Sequence, residues 1–431
     1  MKNSGRVLRG SLLLGLASTF LFSGCAMEPR SRSKDPGGIA FIAYWPSAAH
    51  GGQLRLAVKD NIDMRGIVTT AGSDFLAKHS PPARKDAQCL AIARQQKVQI
   101  VGKTNLSEFA VAPSGFNEHF GTPDNPFNHW RRKFIPGGSS SGSAVAVATG
   151  LADVAFGTDT AGSVRVPAAC CGVVGLKTTY GLVPLGGVYP VEMKHLDTIG
   201  PLGKDIAQTA RGMDLLQGGF SARYAATTAA RPSASNIRIG RLALKGTDPK
   251  INRAVDHALA KTGFQVVALD DEFRKKWDQA NKDANTVAAA GAWLSDRKFF
   301  SQLSVSARTK SVLIFGRLFY PGNYFEALSR QRQWQKTLRA VFKKVDFIAL
   351  PTLQSTPPVI LPAPNIGITE LRMLDLQNTA AVNFAGNPAL AMPIPLRRAT
   401  VPVTSLQLVG PLRSEAELLN AGRLVEAALK K

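Results

Sequence analysis

Apolar and polar positions change period several times along this chain. From Gly51 onward, short apolar runs with strand character are separated by stretches with helical spacing. LRLAVKD at Leu54 and VQIVG at Val98 read as strands, the periodic stretch Asp86 to Arg94 as a helix between them, and the Ser-, Ala- and Val-rich stretch after Gly142 as another helix. This alternation predicts an α/β domain with a mixed or largely parallel sheet. Arg231 to about Ala340 has a different texture, with charged amphipathic stretches such as Gln279 to Lys298 and Glu326 to Lys344, and reads as a helical section laid on the sheet domain, about residues 222–344 in all. Sheet-like runs return with FIALP at Phe347 and SLQLVG at Ser405, and a closing helix is expected from Ser414, an acceptable N-cap, through Leu429. No internal repeat of solenoid period is visible.

The N-terminus breaks this pattern. Lys2, Arg6 and Arg9 precede the apolar run SLLLGLASTFLF from Ser11 to Phe22. That run is shorter than the about 20 residues a membrane span needs, and its basic lead marks a secretory signal peptide. Its end, Leu21-Phe22-Ser23-Gly24-Cys25, resembles the bacterial lipobox, with Phe22 where Leu is usual; the resemblance implies lipidation of Cys25 after cleavage. Ala26, rather than Asp, follows the cysteine, which by the same resemblance points to the periplasmic side of the outer membrane. The plainer alternative is a signal peptide with an incidental cysteine. The expected organisation is a signal peptide over 1–24, a Pro-, Gly-, Ser- and charge-rich tether over 25–46, and one domain over 47–431.

Composition narrows the function classes. With 431 residues, 45% of them hydrophobic and 19% charged, the chain has material for a sizeable core and is neither fibrous nor disordered in character. Lys and Arg number 53 against 30 Asp and Glu, a formal charge of +23, and removing the signal peptide leaves +20. Much of this excess falls between Arg223 and Lys344. It suits anionic surroundings such as a membrane surface. For an exported chain, nucleic acid is not the expected partner, and a solvated basic surface is the simplest reading. The four cysteines have neither metal-ligand spacing nor the density of a disulfide scaffold, so no structural zinc is expected; Cys89, Cys170 and Cys171 read as core.

Three segments place nucleophile-type or base-type side chains beside apolar or glycine-rich runs. Val58-Lys59-Asp60-Asn61 carries a lysine out of an apolar run, and an ordinary strand-end lysine is the commoner explanation of any one such residue. Pro136-Gly137-Gly138-Ser139-Ser140-Ser141-Gly142-Ser143 opens the helix AVAVATG; Ser143 stands where a phosphate-binding loop needs Lys, so that reading fails. Gly157-Thr158-Asp159-Thr160-Ala161-Gly162-Ser163-Val164-Arg165-Val166-Pro167 is not a nucleophile elbow, because Arg165 replaces the second glycine of G-x-S-x-G.

Taken together and in this order, the three segments resemble the amidase signature family. GKTNLSEFA from Gly102, CGVVGLK from Cys171, LDTIGP from Leu196, LPT from Leu350, NFAGNPAL from Asn383 and LQLVG from Leu406 support the match, which is strong over about 50–216 and fair over 345–430. The resemblance implies an α/β fold with a large, mixed and mostly parallel central sheet covered by helices on both faces. It also implies a Ser-Ser-Lys triad: Ser163 as nucleophile, Ser139, held by a cis peptide bond, as relay, and Lys59 as general base. Asp159, Arg165 and Ser140 take supporting places. Ala161, Ser141 and Thr178 depart from the usual Gly, Gly and Pro, and the variants GGSSSGSAVAVA and GTDTAGS look like the allophanate hydrolase branch. Expected export argues against allophanate as substrate, and equally against a tRNA-charging subunit.

The chemistry of such a triad is demanding. A serine hydroxyl must lose its proton as it attacks, so a base must lie within reach, directly or through one relay group. A lysine of pKa about 10.4 is neutral in only about four parts in ten thousand at pH 7, so Lys59 has to be buried enough to lose several units, each about 1.4 kcal/mol. Small residues before Ser163 let the backbone N–H groups of Thr160, Ala161, Gly162 and Ser163 converge as an oxyanion hole, in which one donor is worth about 3 to 4 kcal/mol. The implied reaction is amide hydrolysis through an acyl-enzyme, releasing ammonia or an amine from a small-molecule amide, with no metal and no other cofactor. The six histidines form no recognisable triad partner. Two rivals stand beside this: a catalytically silent binding or scaffolding lipoprotein on the same fold, and a penicillin-recognising serine enzyme, which fails for want of S-D-N. Neither the identity of the amide nor the oligomeric state is written in the sequence.

Overall fold

Strands form where the apolar runs lie, and they assemble into one sheet. The computed structural model describes residues 38–45, 53–231, 233–360 and 366–430. The expected signal peptide and Cys25 lie outside the described residues. Eleven strands are ordered β1-β3-β2-β4-β6-β5-β10-β11-β9-β7-β8, where β1 is Phe41–Tyr44, β2 Arg55–Lys59, β3 Gln99–Thr104, β4 Val154–Asp159, β5 Val174–Lys177, β6 Thr198–Gly203, β7 Arg238–Arg241, β8 Gln265–Ala268, β9 Phe347–Pro351, β10 Ala389–Pro395 and β11 Val403–Val409.

The sheet is mixed, but the expected parallel majority is not met. Parallel pairing is confined to two blocks, β3-β2-β4 and β9-β7-β8, while the six other neighbour pairs are antiparallel. The reason lies in the connections. β10 and β11 follow one another across a short link and pair as a hairpin, from Ala389 opposite Val409 to Pro395 opposite Val403. Helix-like spacing elsewhere in the sequence does not reveal this local reversal.

Helices cover both faces of the central strands, whose residues are buried. Along β9, Phe347 and Ala349 point to one core and Ile348 and Leu350 to the other. The first core is closed by the helices Ile206–Leu216, Pro249–Thr262 and Glu415–Lys430, the second by Asp271–Asp296, Gly322–Val341 and Ala380–Ala385. At the other end of the sheet, Leu56 and Val58 of β2 join Val154 and Phe156 of β4 in one core, while Ala57 and Ala155 face the helices Ser141–Ala148 and Arg165–Cys171. Cys89, Cys170 and Cys171 are buried in these cores as free thiols.

Two boundaries differ from expectation. Phe41–Tyr44, inside the stretch read as tether, forms the edge strand β1 against β3, because Ala40 and Phe41 have apolar partners there. The section at 222–344 is helical in the main, yet it also supplies β7 and β8 to the opposite edge. No helix among the described residues is long and apolar enough to cross a membrane.

β2 and β4 run parallel as neighbours, so Lys59 and Asp159, the last residue of each, emerge at the same edge of the sheet. This is the topological fact that creates the site. β6, beside β4, must come very close to β5, and a Cβ added at Gly200 would overlap the carbonyl oxygen of Leu176. Gly200→Ala is therefore expected to destabilise the protein by about 2 kcal/mol or more in chemical denaturation; a midpoint equal to wild type would contradict this packing.

Candidate active site

Lys59 ends β2 with its side chain wholly buried. Its Nζ donates to Ser139 Oγ at 2.7 Å and to Thr158 Oγ1 at 2.8 Å. Both partners are neutral hydroxyls. Burial pulls the ammonium down to about 7, against the weaker opposing fields of Asp159 and Asp197. The neighbouring Asp60 points elsewhere: it pairs with Lys103 Nζ at 2.8 Å and accepts from Thr70 N at 3.1 Å.

Ser139 follows a cis peptide bond from Gly138. Gly138 has no room for a side chain, since a Cβ there would lie 2.6 Å from both Ala112 O and Gly115 N. The next residue joins this loop to the other serine: Ser140 N donates to Ser163 O at 3.2 Å. Ser163 is half-buried, and among the described residues its Oγ has no hydrogen-bond partner. The structure thus joins Lys59 to Ser139 directly and sets Ser163 beside their loop, without a bond from Ser139 Oγ to Ser163 Oγ.

The turn from Thr160 to Ser163 leaves four successive backbone N–H groups without an acceptor among the described residues. Gly162 holds φ at +139°, and a Cβ there would run into Thr379 Oγ1. The turn is fixed on either side by charge. Arg165 forks onto Asp159, Nε to Oδ2 at 3.0 Å and Nη2 to Oδ1 at 2.9 Å, and also donates to Gln407 Oε1 at 2.7 Å, Thr379 O at 3.0 Å and Asn383 Oδ1 at 2.5 Å. Burial alone would raise the Asp159 carboxyl; the Arg165 charge and its bonds, with help from Lys177 and Asn383, hold it at about 2. Asp159 Oδ2 also accepts from Val164 N at 3.1 Å, locking the residue after Ser163.

Ser163, Thr160 and Ala161 open onto a cavity of about 80 Å³, whose far wall comes from the Asp271–Asp296 helix and from Gln377. Four unpaired amides, a serine hydroxyl at a cavity and a buried amine of depressed pKa form an arrangement suited to acyl transfer.

Comparison with known proteins gives the family. The family model described as Amidase matches residues 54–419. The chain belongs to the amidase family. It is a hydrolase of carbon–nitrogen bonds, and its relatives match this amidase over most of their length. It is 30% identical over 420 residues to a glutamyl-tRNA(Gln) amidotransferase subunit of Halobacterium salinarum, covering 86% of this chain and 94% of that one. It is 32% identical to the 2-amino-5-chloromuconic acid deaminase of Comamonas testosteroni, covering 87% and 81%. The solved structure of the corresponding amidotransferase subunit from Thermotoga maritima superposes with a TM-score of 0.73 at 25% identity, covering 91% and 88%.

Sequence reasoning missed several polar residues of this amidase site. Thr158 and Asp197 sit inside segments already singled out, GTDTAGS and LDTIGP, but their contacts come only from the fold: Asp197 accepts from Thr160 Oγ1 at 2.6 Å and from the Val191 amide at 2.9 Å. Asn383 and Gln407 lie in NFAGNPAL and LQLVG, and they hold Arg165. Asn285 and Gln377 carry no motif signal at all.

The Asp159–Arg165 pair generates a prediction. Arg165→Met leaves a buried carboxylate unpaired and should cost about 3 to 5 kcal/mol in denaturant unfolding, with Arg165→Lys recovering only part because it lacks the fork. Since the folded carboxyl titrates at about 2, below the unfolded value of about 3.9, the pair stabilises the protein fully above the unfolded value. This contribution is lost as pH falls through about 2. Equal stability of wild type and Arg165→Met at neutral pH would contradict the assignment.

Proposed function

We propose that the protein hydrolyses a small amide by way of an acyl-enzyme at Ser163. In this reading Ser163 Oγ attacks the carbonyl carbon and its proton passes to Ser139 Oγ, as the Ser139 proton moves to neutral Lys59 Nζ. The oxyanion is received by the N–H groups of Thr160, Ala161, Gly162 and Ser163. Lys59 then returns its proton, through Ser139, to the leaving nitrogen, the C–N bond breaks, and ammonia or an amine departs. Water attacks the ester by the same proton route and frees the acid. Arrival of substrate closes the gap between Ser139 Oγ and Ser163 Oγ, as catalytic hydrogen bonds commonly tighten in the complex.

The observation that carries this reading is the 2.7 Å bond from a fully buried lysine to Ser139, with no carboxylate bonded to the amine. A lysine so placed supplies a base near neutrality, and its hydroxyl partners set it apart from Lys103, which keeps the carboxylate of Asp60, and from Lys177, which donates to backbone carbonyls. The resemblance of Leu21 to Cys25 to a lipobox supports a proposed anchoring at the periplasmic face of the outer membrane through lipidated Cys25.

Purified mature protein should release ammonia or amine from at least one amide of a broad panel, and Ser163→Ala should lose that activity by about a thousandfold or more. A fluorophosphonate should label Ser163, and the label should vanish in Lys59→Ala. Because the base must be unprotonated, kcat/KM should rise with pH through about 7 and then level off. Identical behaviour of wild type and folded Ser163→Ala on every amide would favour the silent scaffold instead. Labelled palmitate should enter wild-type protein and not Cys25→Ala; equal incorporation would rule out the lipid anchor.

A further inference from the structure

The cavity beside Ser163 carries polar groups that the proton route does not use. Gln377 is 2% exposed and lines the cavity, and neither its side-chain oxygen nor its nitrogen has a hydrogen-bond partner among the described residues. Asn285, on the Asp271–Asp296 helix, lines the same cavity, and its Oδ1 is buried without a partner. A buried carboxamide oxygen left unpaired, as in Asn285, is costly and rare in native proteins. Glu370, also on the wall, takes Arg308 Nη1 at 2.5 Å, Ser114 Oγ at 2.5 Å and Ser114 N at 3.1 Å.

We infer that Asn285 and Gln377 bind the acyl portion of the substrate, and that this portion is a short chain bearing a neutral group able both to donate and to accept hydrogen bonds, such as a second carboxamide. The inference rests on the amidase reading of Ser163 and names the substrate class for it. Each carboxamide offers an N–H₂ donor and a carbonyl acceptor. A hydrocarbon chain satisfies neither. A carboxylate only accepts, and leaves both carbonyl oxygens unpaired; an ammonium only donates, and leaves both N–H₂ groups unpaired. The remaining walls, among them Ala112, Ala289, Val312 and Leu374, are apolar, and a volume of about 80 Å³ suits a short chain.

The test compares kcat/KM for four primary amides of similar length: succinamide, succinamate, pentanamide and 4-aminobutanamide. Wild type should prefer succinamide to each of the others by about tenfold or more. In Asn285→Leu, and separately in Gln377→Met, the succinamide-to-pentanamide ratio should fall about tenfold. Thermal melts identify a variant that fails to fold, in which case the other decides. A wild-type preference for any of the other three amides, or ratios unmoved in the folded variants, overturns this inference while leaving Ser163-dependent hydrolysis standing. Turnover that survives Ser163→Ala, or absence of turnover on the four amides and on the wider panel, overturns the amidase mechanism and this inference with it.

Discussion

Desolvation of one amine is the constraint on which the rest of the site depends. Among the described residues, three lysines are buried in this sheet, and their partners separate them. Lys103 has a carboxylate, Asp60, at 2.8 Å. Lys177 donates to two backbone carbonyls, Thr178 O and Asn387 O, each at 2.9 Å, and burial with the nearby Arg165 charge brings it to about 7. Lys59 reaches two hydroxyls. Neutral hydroxyls can donate to a free amine as readily as they accept from an ammonium, so of the three Lys59 is the one placed to take the part of base in the proposed mechanism.

The carboxylates that could keep Lys59 charged are engaged elsewhere. Asp159 lies one residue beyond Thr158, but Arg165 holds both of its oxygens. Asp197 turns to Thr160 Oγ1 and to the amides of Val191 and Glu192. These same bonds fix the two ends of the turn that offers its N–H groups to the cavity. One network thus keeps both carboxylates from bonding the Lys59 amine and holds the turn with its N–H groups toward the cavity, which is why the chain tolerates a fully buried arginine at a strand-to-helix corner.

Much of this was legible in sequence, for physical reasons. Residues that transfer protons, accept a cis peptide bond or crowd backbone amides are restricted in type, so PGGSSSGS and GTDTAGS stand out, and strands of uniform apolar character declare themselves by run length. Relations between segments were harder to read. The reversal at β10–β11, the edge strand hidden at Phe41–Tyr44 and the strands inside the helical section follow from which neighbour a segment pairs with. The roles of Thr158 and Asp197 required their spatial neighbours. Asn285 and Gln377 are ordinary amides in ordinary helical or loop stretches, and only their lack of partners in a shared cavity distinguishes them.

The protonation of Lys59 can be observed without any substrate. Protein labelled with ¹³C and ¹⁵N at lysine, titrated by NMR, should give a side-chain signal that is absent from folded Lys59→Met and titrates near pH 7, distinct from a second signal removed by Lys177→Met. If the Lys59 signal stays that of an ammonium up to about pH 10, the value of an unperturbed lysine, the buried amine is not the base and the account fails at its centre.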